Sequence, residues 1–124
     1  MRFGAYINCK TVPFIDLIAA RLKPYETRSR DTLGALIGKR IDLIETGKGA
    51  PVILARATVK SSTIVCYEDV AMRAAARILG TPYDIKPGQT KVFYELVNVR
   101  AVKPHPVPTN RINHGRAYTE YEGR

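Results

Sequence analysis

Lys23-Pro24-Tyr25-Glu26-Thr27-Arg28 is the stretch from which the fold is best read. Ahead of it, apolar residues at helical spacing (Phe14, Ile15, Leu17, Ile18, Leu22) predict a helix from about Val12 to Leu22, with Thr11 as N-cap and Pro13 in the first turn. Pro24 ends that helix, because its ring disfavours helical geometry at Lys23. Tyr25 to Ser29 then reads as extended chain. The quoted residues place an amine, a phenol, a carboxylate, a hydroxyl and a guanidinium at one helix-to-strand junction. Such junctions can present several polar groups into one cleft.

Working outward, Phe3 to Asn8 reads as a first strand. Arg40 to Glu45 alternates loosely and Val52 to Val59 follows a Thr46–Pro51 turn cluster, so the two predict a hairpin. Ala71, Ala74, Ala75 and Ala76 favour a second helix from about Tyr67 to Leu79, with Gly80 at its C-terminal cap and Pro82 blocking continuation. Lys91 to Val102 has the clearest strand pattern. The order is β-α-β-β-β-α-β. Crossover helices are too few for a doubly wound parallel sheet. The expectation is an α+β fold, with mostly antiparallel strands closing into a small barrel and two helices packed on it. Residues 1–102 form this domain. Residues 103–124 form a basic tail containing Pro104, Pro106 and Pro108, which either wraps on the body or joins a partner subunit.

The chain has 124 residues, enough for one domain and too few for a separate cofactor domain. Its net charge of +9 favours a polyanionic partner or an anionic ligand over a merely solvated basic surface. Cys9 and Cys66 form no CxxC pair, and no signal peptide is apparent, so reduced thiols and a cytoplasmic location are expected. The longest apolar runs fall short of a membrane span. His105 and His114 lack a nearby cysteine or acidic cluster, so neither a metal nor a cofactor is expected. Gly47-Lys48-Gly49 lacks phosphate-loop spacing and reads as a hairpin turn. Arg73 and Arg77 repeat at helical spacing and read as a solvated helix face, with nucleic-acid contact as the lesser alternative. Lys103, Arg111 and Arg116, interleaved with His105, His114 and Tyr118, could track a phosphate backbone or contact another subunit.

Leu22 to Arg28 resembles the Lys-x-x-Glu-x-Arg motif of the ASCH domain, a PUA-like β-barrel family. The resemblance continues at Gly38-Lys39-Arg40-Ile41, in the hairpin to Ile53-Leu54-Ala55-Arg56-Ala57, and at Pro87 to Glu95, and covers about residues 3–102. Arg21 departs from it, because family members often carry glycine just before the motif. The resemblance implies two functions. Many ASCH domains are proposed RNA-binding modules, while some small bacterial members remove the acyl group from N4-acylated cytidine. The proposed site of the latter has a Lys and a Thr in the signature segment and a helix-borne Glu. The Lys falls on Lys23. The Thr falls on Glu26, which passes the hydroxyl role to Thr27 or Tyr25. The Glu falls near Glu68.

Amide hydrolysis needs a nucleophile, a base to activate it and donors for the oxyanion. Lys23 could be the base if desolvation or nearby cations lower its pKa. By spacing alone it is a lysine complementing a helix end. Tyr25 fits sheet packing as well as catalysis, and Thr27 is an ordinary strand residue. Glu26 and Arg28 suit a cross-strand pair, or recognition of a base amino group and of a carbonyl or phosphate. Glu68 suits the first turn of a helix as well as proton transfer. With the resemblance added, the expectation is a metal-independent amidohydrolase acting on a modified nucleoside such as N4-acetylcytidine. Its catalytic set would be Lys23, Tyr25, Glu26, Thr27 and Glu68, with Arg28, Arg21 and Lys39 binding substrate. The attacking group is Thr27, Tyr25 or water. The alternatives are a non-catalytic RNA-binding module using the same basic cleft and, third, an RNA-cleaving enzyme.

Overall fold

The computed structural model describes residues 1–122. Strand β1 (Arg2–Asn8) leads through helix α1 (Phe14–Ala19) to β2 (Tyr25–Arg28). A 3₁₀ turn (Gly34–Leu36) precedes β3 (Arg40–Thr46) and the long β4 (Val52–Cys66). Helix α2 (Val70–Ala75) comes next, then β5 (Thr90–Pro106), β6 (Arg111–His114) and β7 (Tyr118–Tyr121). All seven strands join one sheet in the order β2-β5-β4-β3-β1-β7-β6. Only β1 and β3 run parallel, so the expected α+β, mostly antiparallel architecture is present.

The sheet is open, where a closed barrel was the expectation. The two edges of β1 are taken by β3 and by the tail strand β7. That leaves the four-residue β2 and the four-residue β6 at opposite ends of the strand order. The domain boundary expected after residue 102 falls inside β5, and residues 111–121 add two strands to the same sheet. The tail therefore wraps on the body.

Both helices are shorter than their sequence patterns predict. Thr11 does not cap α1; its hydroxyl bonds Tyr83 Oη instead, and Pro13 holds the N-cap position. At the other end Arg21 adopts a left-handed φ of 62°. Its N–H bonds Ile18 O at 3.0 Å and the Leu22 N–H bonds Leu17 O at 2.9 Å, a Schellman turn that closes the helix before Leu22. In α2, Asp69 Oδ1 accepts from Met72 N at 3.2 Å, so the helix starts after Glu68. Arg77, with φ 61°, repeats the Schellman turn ahead of Gly80.

The main core lies between α1 and the sheet. Ile15 and Ile18 of α1 bury against Ile41, Leu43, Ala55, Val59 and Leu96. Complete burial of one such aliphatic side chain is worth about 1.5–3 kcal/mol, which is enough to hold a helix of six residues that would not form alone. A second cluster joins Ile78, Ile85 and Phe93 to Tyr25 and Tyr83. It anchors the loop that walls the site.

Candidate functional site

A cleft of about 280 Å³ opens where several elements meet: Tyr6, Ile7 and Asn8 of β1, Phe14 at the start of α1, and Glu26, Thr27 and Arg28 of β2. Thr46, Tyr83, Lys91 and the tail residue Arg116 complete its wall. Glu26 is buried at 6% exposure. Its carboxylate accepts from Arg28 Nη2 at 2.9 Å and from the Thr27 backbone N–H at 3.1 Å. Arg28 Nη2 also donates to the Tyr6 carbonyl at 2.5 Å, which ties β2 to β1 across the cleft. Charge-assisted bonds of this kind hold a carboxylate in one orientation.

Tyr83 is fixed from several sides. Its hydroxyl bonds Thr11 Oγ1, its carbonyl accepts from Lys91 Nζ, and its ring meets Phe14 edge-to-face at 5.0 Å. The loop carrying it is pinned by Asp84, which takes both Nε and Nη2 of Arg73 at 2.8 Å and the backbone N–H groups of Gly80 and Ile85. The hydrogen bonds from Arg73 hold the Asp84 carboxyl well below the usual carboxylate range. Burial lowers the Lys91 pKa, against the opposing charges of Asp84 and Glu26.

Lys23 points inward but not into this cleft. It is 1% exposed, and its Nζ donates to the Ala76 carbonyl at 2.6 Å and sits 4.8 Å from the centroid of the Phe14 ring. Burial pushes its pKa down to about 8, with Glu26 opposing and Lys91 reinforcing the shift. Lys23 thus stands behind Phe14, close enough to feel two of the charged groups that line the cleft, Glu26 and Lys91.

Of the residues expected at the site, the fold brings Glu26, Thr27 and Arg28 to one wall, with Lys23 behind them. Tyr25 packs against Phe93, ring centroids 5.7 Å apart, in the second core cluster. Glu68 is exposed in the turn before α2, outside the cleft lining. Arg21 is exposed beside a separate hollow of about 310 Å³ that Lys23 also lines, and Lys39 Nζ lies 4.9 Å over the Phe3 ring. Sequence reasoning missed Tyr6, Asn8, Phe14, Thr46, Tyr83 and Lys91 as cleft residues. Lys91 sits within the quoted Pro87–Glu95 segment, but the others carry no local signal. Arg116 stood among the tail cations with no place assigned. Among the described residues, no group of three His, Cys, Asp or Glu side chains is arranged to hold a metal ion. No helix among them is long and apolar enough to cross a membrane.

The architecture is an ASCH-type fold. Among solved structures the chain is similar to the ASCH protein of Zymomonas mobilis, with a TM-score of 0.70 at 16% identity over 96% of this chain and 87% of that one. It is also similar to two single-residue variants of that protein. The Tyr-to-Phe variant gives a TM-score of 0.66 at 15% identity over 96% and 90% of the two chains. The Ser-to-Ala variant gives 0.62 at 18% identity over 96% and 88%. No protein-family profile and no curated protein sequence matches the chain.

Proposed function

We propose that the cleft holds the base of an N4-acylated cytosine nucleoside and hydrolyses its exocyclic amide. The observation that carries this reading is Glu26: a buried carboxylate in the cleft wall, oriented by Arg28 and the Thr27 N–H, beside a buried lysine whose pKa is about 8. Tyr6, Phe14 and Tyr83 give the cleft aromatic faces suited to a planar base. Glu26 takes a proton from the attacking group, which is water or the Thr27 hydroxyl. The new carbon–oxygen bond puts negative charge on the acyl oxygen, and Lys91 and Arg28 of the cleft lining are the cations assigned to meet it. Breaking the carbon–nitrogen bond then returns the proton from Glu26 to the departing N4 amine. With water attacking, the products are the free acid and the unmodified nucleoside. An ester formed on Thr27 would need a second attack by water. Lys23, shut behind Phe14, works on Glu26 through space and is a positioning residue.

The test is release of cytidine from N4-acetylcytidine by the purified protein. Turnover that disappears in Glu26→Gln, with the fold retained, supports the reading; absence of turnover in the unaltered protein overturns it. A non-catalytic RNA-binding module is the second reading. What favours it is the withdrawal of Lys23 from the cleft, together with the cations Arg28, Lys91 and Arg116 around it. RNA affinity that falls steeply with salt, without any cytidine release, would select it.

A further inference from the structure

Tyr6 is the point where the tail meets the cleft. Its carbonyl takes Arg28 Nη2 at 2.5 Å, and its backbone N–H donates to Ala117 O at 3.0 Å. Its hydroxyl lies 2.8 Å from His114 Nδ1 and receives Arg111 Nη1 at 3.1 Å. The His114 ring stands edge-on to the Tyr6 ring at 5.6 Å, and Arg111 Nη1 is 3.2 Å from His114 Nδ1. Arg111 Nη1 is also 3.5 Å from His114 Nε2, so the guanidinium lies against the imidazole, which helps hold Arg111 beside Tyr6. Arg116, the neighbour of Ala117, reaches the cleft wall.

The charges around this point do not balance. Arg28, Lys91 and Arg116 line the cleft against the single carboxylate of Glu26, three cations less one anion, or +2. Glu26 is already paired with Arg28. Among the described residues neither Arg111 nor Arg116 forms an ion pair.

We infer that the tail supplies a phosphate subsite at the mouth of the cleft, built on Arg116 of the cleft wall with Arg111 beside the Tyr6 hydroxyl, so that the occupant is a phosphorylated nucleoside rather than a free one. The inference rests on the reading that the cleft holds a nucleobase. A 5′-phosphate monoester and a backbone phosphodiester share the chemistry: anionic oxygens that accept from planar guanidinium forks.

Calorimetry at low salt with cytidine, cytidine 5′-monophosphate and a short oligocytidylate tests this. The monophosphate should bind at least tenfold tighter than cytidine. Arg116→Ala and Arg111→Ala should each bring the ratio of the two affinities towards one, while Arg116→Lys keeps part of it. Both arginines are exposed, so the melting temperatures of the variants should match that of the unaltered chain. An oligocytidylate that binds tighter than the monophosphate assigns the subsite to a phosphodiester; equal or weaker binding assigns it to a monoester. Equal affinity for cytidine and its monophosphate overturns the inference, as does a variant that weakens both by the same factor. Turnover separates the two proposals. Amide hydrolysis with no phosphate preference sinks the subsite alone. Arg116-dependent monophosphate binding without hydrolysis supports the subsite and sinks the hydrolase. Failure of every ligand to bind overturns both.

Discussion

Lys23 carries its ammonium where water does not reach, and that has a measurable consequence. Its pKa is about 8 in the folded chain against 10.5 for a free lysine. Below pH 8 both folded and unfolded chains hold the proton, and the full cost of burying the charge is present. Between about 8 and 10.5 the unfolded chain keeps a proton that the folded chain has released, so stability rises with pH. Relative to Lys23→Met, the unaltered protein should gain up to about 3 kcal/mol across that window. Tyr94, pushed up to about 12 mainly by burial and then by Asp31, works in the opposite direction, as does Tyr121, whose pKa is also raised. Each keeps a proton in the folded chain that the unfolded chain loses above about pH 10, so stability falls there. Both tyrosines are common to the two proteins and cancel in the difference. Urea unfolding of both at pH 7, 8.5 and 10 reads the effect, and a flat difference would mean that the amine is solvated. The neighbouring carboxylate makes a separate prediction. Glu26→Gln keeps the shape but not the basicity, and should slow cytidine release by about 10²- to 10⁴-fold if Glu26 moves the proton.

Both helices end on an arginine in the left-handed region, a conformation that costs an L-residue with a Cβ about 1–2 kcal/mol. Arg21→Gly should therefore stabilise the protein by about 1 kcal/mol, seen as a higher urea midpoint, although glycine gives part of the gain back through the unfolded chain. Arg77→Gly should gain less, because Arg77 Nε donates to the Leu22 carbonyl at 2.8 Å and ties the two helix ends together. Equal gains at the two positions would show that this bond contributes nothing. The Arg21 end was half legible: the resemblance marked the position as one where glycine is common, but only backbone geometry gives the reason. Strands were legible wherever apolar residues alternate, as in Ile53, Ala55, Ala57 and Val59 of β4. β4 runs on to Cys66, because its second half, largely exposed, pairs with β5 and so needs no apolar alternation to persist. Strands β6 and β7 were invisible, since their pattern is polar and three prolines precede them. In the site, Glu26, Thr27 and Arg28 were legible because they are contiguous. Tyr6, Tyr83 and Arg116 reach the same cleft from three distant segments, and no local pattern signals that.

At the scale of the molecule, one buried carboxylate helps to hold the tail on the sheet. Asp42 has no exposed surface, and Arg2 Nη2 and Arg56 Nε approach its Oδ1 at 2.7 and 3.0 Å. Its Oδ2 accepts from the hydroxyl of Tyr121, the last residue of β7. A carboxylate removed from water needs such partners, and the final strand supplies one of them. Tyr121→Phe deletes only the hydroxyl and should cost about 1.5–3 kcal/mol, the range for a hydrogen bond to a charged group. Truncation after Pro106 should cost more. It removes the same hydroxyl, uncovers Ile44 and Ile53 of the third core cluster, and frees the β1 edge that β7 pairs. Urea midpoints for the full chain, Tyr121→Phe and the truncated chain should fall in that order. If the truncated chain unfolds at the same midpoint as the full chain, the tail is an ornament on a complete sheet, and Arg116 has no fixed place from which to meet a ligand. If the order holds, the segment that stabilises the sheet is also the one that brings Arg116 to the cleft, and loss of stability and loss of any phosphate preference should appear together on truncation but separately in Tyr121→Phe.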